Sequence, residues 1–249
     1  MISGDSLTDL LAVIETAADR LEPVQADLFL QEIWLDRIVS GSAALLEGDF
    51  PERDAAMLLI AAVASRTEKS LDFTLAQRLV SAYLADRPES ECWSEYGISQ
   101  EHGDLYIHLA SQGALARVAQ KVAETIPLTA WEYNSCPVCG SGPKFAALDS
   151  GIGARRLICG TCFTAWRYKR IGCAFCGEEQ PDQLKILTAD EFPAWSISAC
   201  LTCRSYLKTA DLRQLAFPPV WHQAALSTLP LDFAAMKWLK RSVPEQFLL

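Results

Sequence analysis

Cys136-Pro137-Val138-Cys139-Gly140, Cys159-Gly160-Thr161-Cys162, Cys173-Ala174-Phe175-Cys176-Gly177 and Cys200-Leu201-Thr202-Cys203 are four Cys-x-x-Cys knuckles in one stretch of the chain. They use every cysteine but Cys92. A two-residue spacer lets a tight turn aim two thiolates at one point, and two facing turns complete a tetrahedral four-sulfur site. The first and second knuckles are separated by 19 residues and the third and fourth by 23. Pairing in order therefore predicts two ligand sets, Cys136, Cys139, Cys159 and Cys162 in one, and Cys173, Cys176, Cys200 and Cys203 in the other.

An internal repeat supports that pairing. The opening knuckles lie 37 residues apart and the closing knuckles 41. Each opening knuckle is followed by a glycine, Gly140 or Gly177, free to take positive φ. Each closing knuckle lacks that glycine and follows an apolar strand. The pattern looks like a duplicated zinc-ribbon or rubredoxin-like module. Thioredoxin-like redox catalysis uses a single such motif at a helix start, and iron-sulfur clusters draw on tighter cysteine groups. Two tetrathiolate metal ions remain, iron or zinc, and ligand identity does not choose between them. A short segment with this many polar turns has a marginal core, whereas a structural four-thiolate site contributes ~10 to 16 kcal/mol of apparent folding energy. The metals are expected to be required for this part of the fold.

Outward from the knuckles the chain divides by charge. Residues 1–130 hold 9 Lys+Arg against 21 Asp+Glu, net -12, and residues 131–249 hold 13 against 10, net +3. Two divalent tetrathiolate sites would take that +3 to about -1. Arg155, Arg156, Arg167, Lys169 and Arg170 cluster around the second and third knuckles, and compensation of the thiolates outweighs a binding face as their reading. Half of the 249 residues are apolar and 21% are charged, which excludes a disordered chain. No window approaches the ~18 to 20 uninterrupted apolar residues of a membrane-spanning helix. Residues 1–27 carry repeated acids instead of a basic patch before an apolar run, so a cytoplasmic protein without membrane insertion is expected.

The first half reads as helices. Leu7, Leu10, Leu11, Ile14, Ala17, Ala18 and Leu21 recur at helical spacing behind Ser6, and Leu28 to Val39 suggests a second helix. Pro51 starts a third, with Ala55, Leu58, Leu59, Ala62 and Val63 as its buried face. Others are expected over about 70–85 and 113–126, with 87–102 as a connecting loop. After Pro127 the pattern turns to short strands. Lys144 to Leu148 and Arg155 to Ile158 flank a glycine-bearing turn as a hairpin, and Thr164 to Arg170 alternates with Trp166 and Tyr168 on one face. Leu231 to Arg241 returns to helix, with Phe233, Met236, Trp238 and Leu239 as its apolar side. The expected fold class is thus α plus small β. A helical domain (1–130) precedes two metal modules (131–172 and 173–211) and a C-terminal helical tail (212–249).

Cys92 reads as a half-buried small apolar residue, and His102, His108 and His222 as structural histidines. No nucleophile elbow, His-Glu-x-x-His, phosphate loop or dinucleotide fingerprint is present, and no catalytic activity is expected.

The ordered set of Cys136-Pro137-Val138-Cys139-Gly140-Ser141-Gly142-Pro143, Cys159 to Cys162 followed by Trp166, Cys173 to Gly177, and Cys200 to Cys203 followed by Tyr206-Leu207-Lys208 resembles the formate dehydrogenase accessory protein family, FdhE. The resemblance spans residues 134–211, and the combination is far more specific than any single knuckle. It implies a cytoplasmic protein with a helical N-terminal region and two rubredoxin-like metal modules whose ligands are the eight cysteines. It also implies a maturation factor, not an enzyme, that acts on the molybdenum- or tungsten-containing catalytic subunit of a formate dehydrogenase; the leading reading adds that iron in the modules senses redox state. Two other classes stay open on the residues themselves. One is a rubredoxin-like electron carrier to a partner oxidoreductase. The other is a zinc-ribbon nucleic-acid module, against which the net charge of the helical half weighs.

Overall fold

The computed structural model describes residues 4–21, 51–84, 92–125, 128 and 131–242. The described elements up to Thr125 form one compact unit, and those beyond it a second. The helix expected over Leu28 to Val39 lies outside the described residues.

In the first unit, α1 (Gly4–Ala18), α2 (Glu52–Ala64), α3 (Phe73–Leu84) and α4 (Gln100–Thr125) pack on one apolar core. Helix α2 is the centre, burying Ala55, Ala56, Leu58, Leu59, Ala62 and Val63 at three- and four-residue spacing. Leu10 and Ile14 of α1, Leu79 and Val80 of α3, and Ile107, Ala110 and Ala114 of α4 close around it. Two sequence expectations are corrected here. Helix α1 begins at Gly4, ahead of Ser6. The segment 87–102 is not simply a loop: Trp93–Tyr96 forms a 3-10 turn with Trp93 buried, and α4 starts at Gln100, far earlier than Gly113. The Trp93 indole lies flat on the backbone of Gly103, where a Cβ would fall 2.2 Å from its Cε2. Glycine is a poor helix former, and the buried indole is what this one accommodates.

In the second unit a six-stranded sheet runs in the order β3-β2-β1-β6-β5-β4. Its strands are β1 (Pro143–Leu148), β2 (Arg155–Cys159), β3 (Ala165–Arg167), β4 (Leu184–Thr188), β5 (Trp195–Cys200) and β6 (Tyr206–Asp211). Each half is an antiparallel meander, and β1 joins β6 in parallel, Phe145 beside Lys208 and Ala147 beside Ala210. The repeat read from the knuckles is therefore two meanders sharing one sheet. Strand β4 and the parallel seam were not legible from periodicity.

Helices α5 (Trp221–Ser227) and α6 (Leu229–Ser242) lie against one face. Trp221 and Ala225 of α5 meet Phe145, Ala147 and Ile158, while Leu231, Ala235 and Leu239 of α6 meet Ile197 and Ala199. The apolar side assigned to α6 is thus corrected: Phe233 and Met236 are exposed, and the buried stripe follows Leu231, Ala235 and Leu239. Helix α6 has two apolar stripes, and only the neighbouring strands decide which is covered. The tie that orients it is polar. Lys208, only 1% exposed, places Nζ 2.6 Å from Asp232 Oδ2 and 4.9 Å from the Phe145 ring centre, and the Tyr206 hydroxyl donates to Asp232 Oδ1 at 3.0 Å. Among the described residues no helix is long and apolar enough to cross a membrane.

Candidate metal centres

All four knuckles are built alike. In each, the amide of the first cysteine donates to the carbonyl five residues on: Cys136 to Ser141 at 2.8 Å, Cys159 to Thr164 at 2.9 Å, Cys173 to Glu178 at 2.8 Å and Cys200 to Ser205 at 2.9 Å. The residue just before that carbonyl takes a left-handed conformation every time. It is Gly140 (φ 74°) and Gly177 (φ 77°) in the opening knuckles, but Phe163 and Arg204 (φ 58° each) in the closing ones. A side chain in that region costs ~1 to 2 kcal/mol. The closing knuckles carry that strain, which is why the absence of glycine there hid their likeness to the opening ones.

This geometry gathers the sulfurs into two groups, Cys136, Cys139, Cys159 and Cys162, and Cys173, Cys176, Cys200 and Cys203, each with all four Sγ atoms within 4.8 Å of one another. Cys136 lies 3.5 Å from Cys162 and Cys139 3.4 Å from Cys159, while Cys173 lies 3.5 Å from Cys203 and Cys176 3.8 Å from Cys200. A tetrahedron with metal-sulfur bonds of ~2.3 Å has edges of about 3.8 Å, so the donor set fits a single ion in each group. Backbone amides already point at the sulfurs. Val138 donates to Cys136 at 3.4 Å, Thr161 and Cys162 to Cys159 at 3.3 and 3.4 Å, and Phe175 to Cys173 at 3.4 Å.

Four thiols this close cannot all ionise on their own. Burial pushes the Cys136 thiol up, while hydrogen bonds from Cys136, Cys159 and Cys162 hold Cys139 well below the ordinary thiol range. In the second group burial pushes Cys173 up to about 12. Burial also opposes ionisation of Cys203, but bonds from the Ser205 hydroxyl and amide hold that thiol down to about 7. A bound cation resolves the conflict by favouring all four thiolates at once.

The two groups differ in access. Cys136, Cys159 and Cys162 are buried and Cys139 is half-buried, whereas in the second group Cys176 is exposed and Cys203 half-buried. Two buried tryptophans hold the lead-in to the first knuckle: Trp131 Nε1 donates to Ser135 O and Trp166 Nε1 to Tyr133 O, each at 2.8 Å. The second group is laced by Glu178, whose carboxylate accepts the amides of Glu179 and Gln180 and the hydroxyl of Thr202 at 2.9 to 3.0 Å, tying the third knuckle to the fourth. Of the five clustered cations, Arg155 is the one built in. It is buried, its Nη1 donates to Gly172 O at 2.8 Å, and it faces Cys173. Arg156, Arg167, Lys169 and Arg170 are exposed.

Sequence reasoning missed Glu178, the strained Phe163 and Arg204, and the Lys208-Asp232 pair. The Tyr206-Leu207-Lys208 motif was the available signal for the last, but nothing in the chain named its partner. Cys92 packs half-buried against the helical core, and His108 Nδ1 lies 2.9 Å from the Tyr83 hydroxyl.

The geometry can now be set beside known proteins. The family model described as "FdhE, central domain" matches residues 135–170. The chain is 35% identical over 138 residues to the FdhE homolog of Aquifex aeolicus, covering 53% of this chain and 48% of that protein. It is 30% identical over 127 residues to the FdhE homolog of Haemophilus ducreyi, covering 50% of this chain and 40% of that protein. The matches thus span half or less of the length of these curated relatives. The crystal structure of the FdhE protein from Pseudomonas aeruginosa aligns over 93% of this chain and 84% of that one, with a TM-score of 0.60 and 19% identity, which shows the shared fold. The cysteine-bearing half is thus similar in sequence to FdhE proteins, and the fold is shared nearly throughout with one of them.

Proposed function

We propose that this protein is a cytoplasmic accessory factor for formate dehydrogenase that docks on the catalytic subunit and performs no catalysis itself. Cys136, Cys139, Cys159 and Cys162 hold one metal ion, and Cys173, Cys176, Cys200 and Cys203 hold a second, iron or zinc. The ions, when bound, supply four-thiolate coordination that stiffens the knuckles, and iron would add sensitivity to redox state. Residues 131–172 and 173–211 then act as the two metal modules between a helical domain (1–130) and a helical tail (212–249). The single observation that carries this reading is the pair of four-sulfur groups, each with the tetrahedral fit of one ion, in a chain similar to FdhE proteins across that region. The test is co-purification of a formate dehydrogenase catalytic subunit with the tagged protein, alongside formate dehydrogenase activity in a deletion strain. Association together with lost activity on deletion is the expected result. No association and unchanged activity would refute it.

The exposed edge of the second group at Cys176 favours one further reading, a one-electron carrier, because electron transfer to a partner needs an approachable metal. Red protein with a reversible one-electron couple would support it. Colourless, zinc-only protein from anaerobically grown cells would exclude it.

A further inference from the structure

The face of the sheet opposite α5 and α6 carries a hollow of about 440 Å³ beside the second sulfur group. Its floor is polar at Ser196, Ser198 and Thr209, the last two with hydroxyls 3.0 Å apart, and apolar at Leu207. Its rim is apolar and open to solvent. Ile186 on β4 is 75% exposed, Ile171 is 68% exposed, and Phe175 of the third knuckle is exposed beside them. Side chains of this size and exposure, gathered around one hollow, mark an interaction surface. Among the described strands β4 is also the last of the sheet, which leaves its outer backbone edge available to an added strand.

The charge of the same surface is one-signed. Among the described residues no acidic side chain lines the hollow, whereas Arg155, Arg170 and Lys185 do. Arg155 and Arg170 are shared with an adjoining hollow of about 530 Å³ that adds Arg167 and Lys169, with Glu132 as its acid. Lys169 is occupied by Glu179 at 2.5 Å. Arg167 sits directly across β2 and β3 from Arg156, like charge against like, which disfavours the pairing. Among the described residues no carboxylate pairs with Arg156, Arg167 or Arg170. An apolar hollow that opens into uncompensated cations is complementary to a segment with apolar residues followed by acidic ones. A nucleic acid would find the cations, but it gains little from the aliphatic rim.

We propose that this surface docks an extended segment of the client protein, its apolar side chains entering between Ile171, Phe175 and Ile186 and the carboxylates that follow meeting Arg167 and Arg170. The inference rests on the docking role proposed above. It adds the place on this chain and the chemistry of the segment recognised. Because Phe175 and Ile171 flank Cys173, the metal-bound third knuckle forms one wall of the site.

Fluorescence anisotropy on the full metal-loaded protein tests it. The probe is a short labelled peptide of alternating leucine and serine ending in a run of glutamates, and the control ends in lysines. The glutamate peptide should bind, more weakly as salt rises, and the lysine peptide about tenfold less tightly or not at all. Ile186→Asp and Arg170→Glu should each weaken binding about tenfold with thermal unfolding unchanged, since both side chains are exposed. Equal binding of the two peptides, no binding of either, or unaltered binding by both variants would overturn the proposal. So would tighter binding of a single-stranded oligonucleotide, or a dimer that Ile186→Asp dissociates. Co-purification of the formate dehydrogenase catalytic subunit separates this idea from the broader one. Retention by wild type and by both variants overturns the surface alone, whereas no retention by wild type overturns the docking role while the peptide result still decides what the groove binds.

Discussion

Replacing Asp232 by alanine should be among the most damaging single changes in the second unit that leave every cysteine untouched. Lys208 is 1% exposed, and its ammonium has the Asp232 carboxylate at 2.6 Å as its counter-ion, with the Phe145 face at 4.9 Å as a weaker contact. Asp232→Ala leaves that ammonium buried and unpaired, and it takes the acceptor from the Tyr206 hydroxyl as well. Breaking a buried pair costs about 3 to 5 kcal/mol. Asp232 is 18% exposed, so water reaches its side of the pair and the lower figure, about 3 kcal/mol, applies. For a unit of roughly this size that corresponds to a fall of about 10 °C in Tm. Thermal and urea unfolding of the metal-loaded protein, followed by circular dichroism, measures it. The double variant Lys208→Met with Asp232→Leu removes both charges and should lie within about 1 kcal/mol of wild type, because an ion pair replaced by packed apolar groups is close to neutral. A single variant that loses less than about 1 kcal/mol, or a double variant as unstable as the single one, would refute the reasoning.

Three further outcomes are expected. Gly103→Ala, whose Cβ would stand 2.2 Å from the Trp93 ring, should destabilise the helical unit by about 1 to 3 kcal/mol, visible as a lower urea midpoint with a shifted tryptophan emission; an unchanged midpoint would mean the indole does not pack there. Burial, aided by its bond to Asp232, raises the Tyr206 phenol to about 12. The folded state therefore holds that proton more tightly than the unfolded one, and its stabilisation is full below about pH 10 and lost as pH rises through about 12. Tyr206→Phe should flatten that part of the stability profile, and an identical profile in the variant would count against it. Finally, a chelator added to the metal-loaded protein should strip the exposed Cys176 group before the buried Cys136 group, giving two kinetic phases of which Cys176→Ser abolishes the faster. Loss of the slower phase in that variant would reverse the assignment.

The knuckle spacing offered pairing in order, because a two-residue turn dictates local geometry, but it left pairing across the modules open, and the fold brings the sequential sets together. The helical core was equally legible at α2, where Ala55, Leu58, Leu59, Ala62 and Val63 recur at the helical period and are all buried. What stayed hidden involved residues far apart in the chain. Gly103 made sense only with Trp93 above it. Phe163 and Arg204 take the glycine-like conformation only because the closing hydrogen bonds of their knuckles hold them there. In α6, Phe233 and Leu231 looked equally able to face inward, and the strands they meet decided between them.

The sequence by itself thus determined the metal-binding character of the second half, its internal repeat and the helical character of the first, since each rests on spacing within a few residues. Only the tertiary structure decided that the two repeats share a sheet through the parallel contact of β1 with β6, that Lys208 finds Asp232, and that one sulfur group is largely buried while the other opens at Cys176. The physical reason is one of range. Turn geometry and amphipathic period are set by neighbours along the chain, whereas strand partners, buried charge pairs and solvent access depend on which distant surfaces the folded chain brings together.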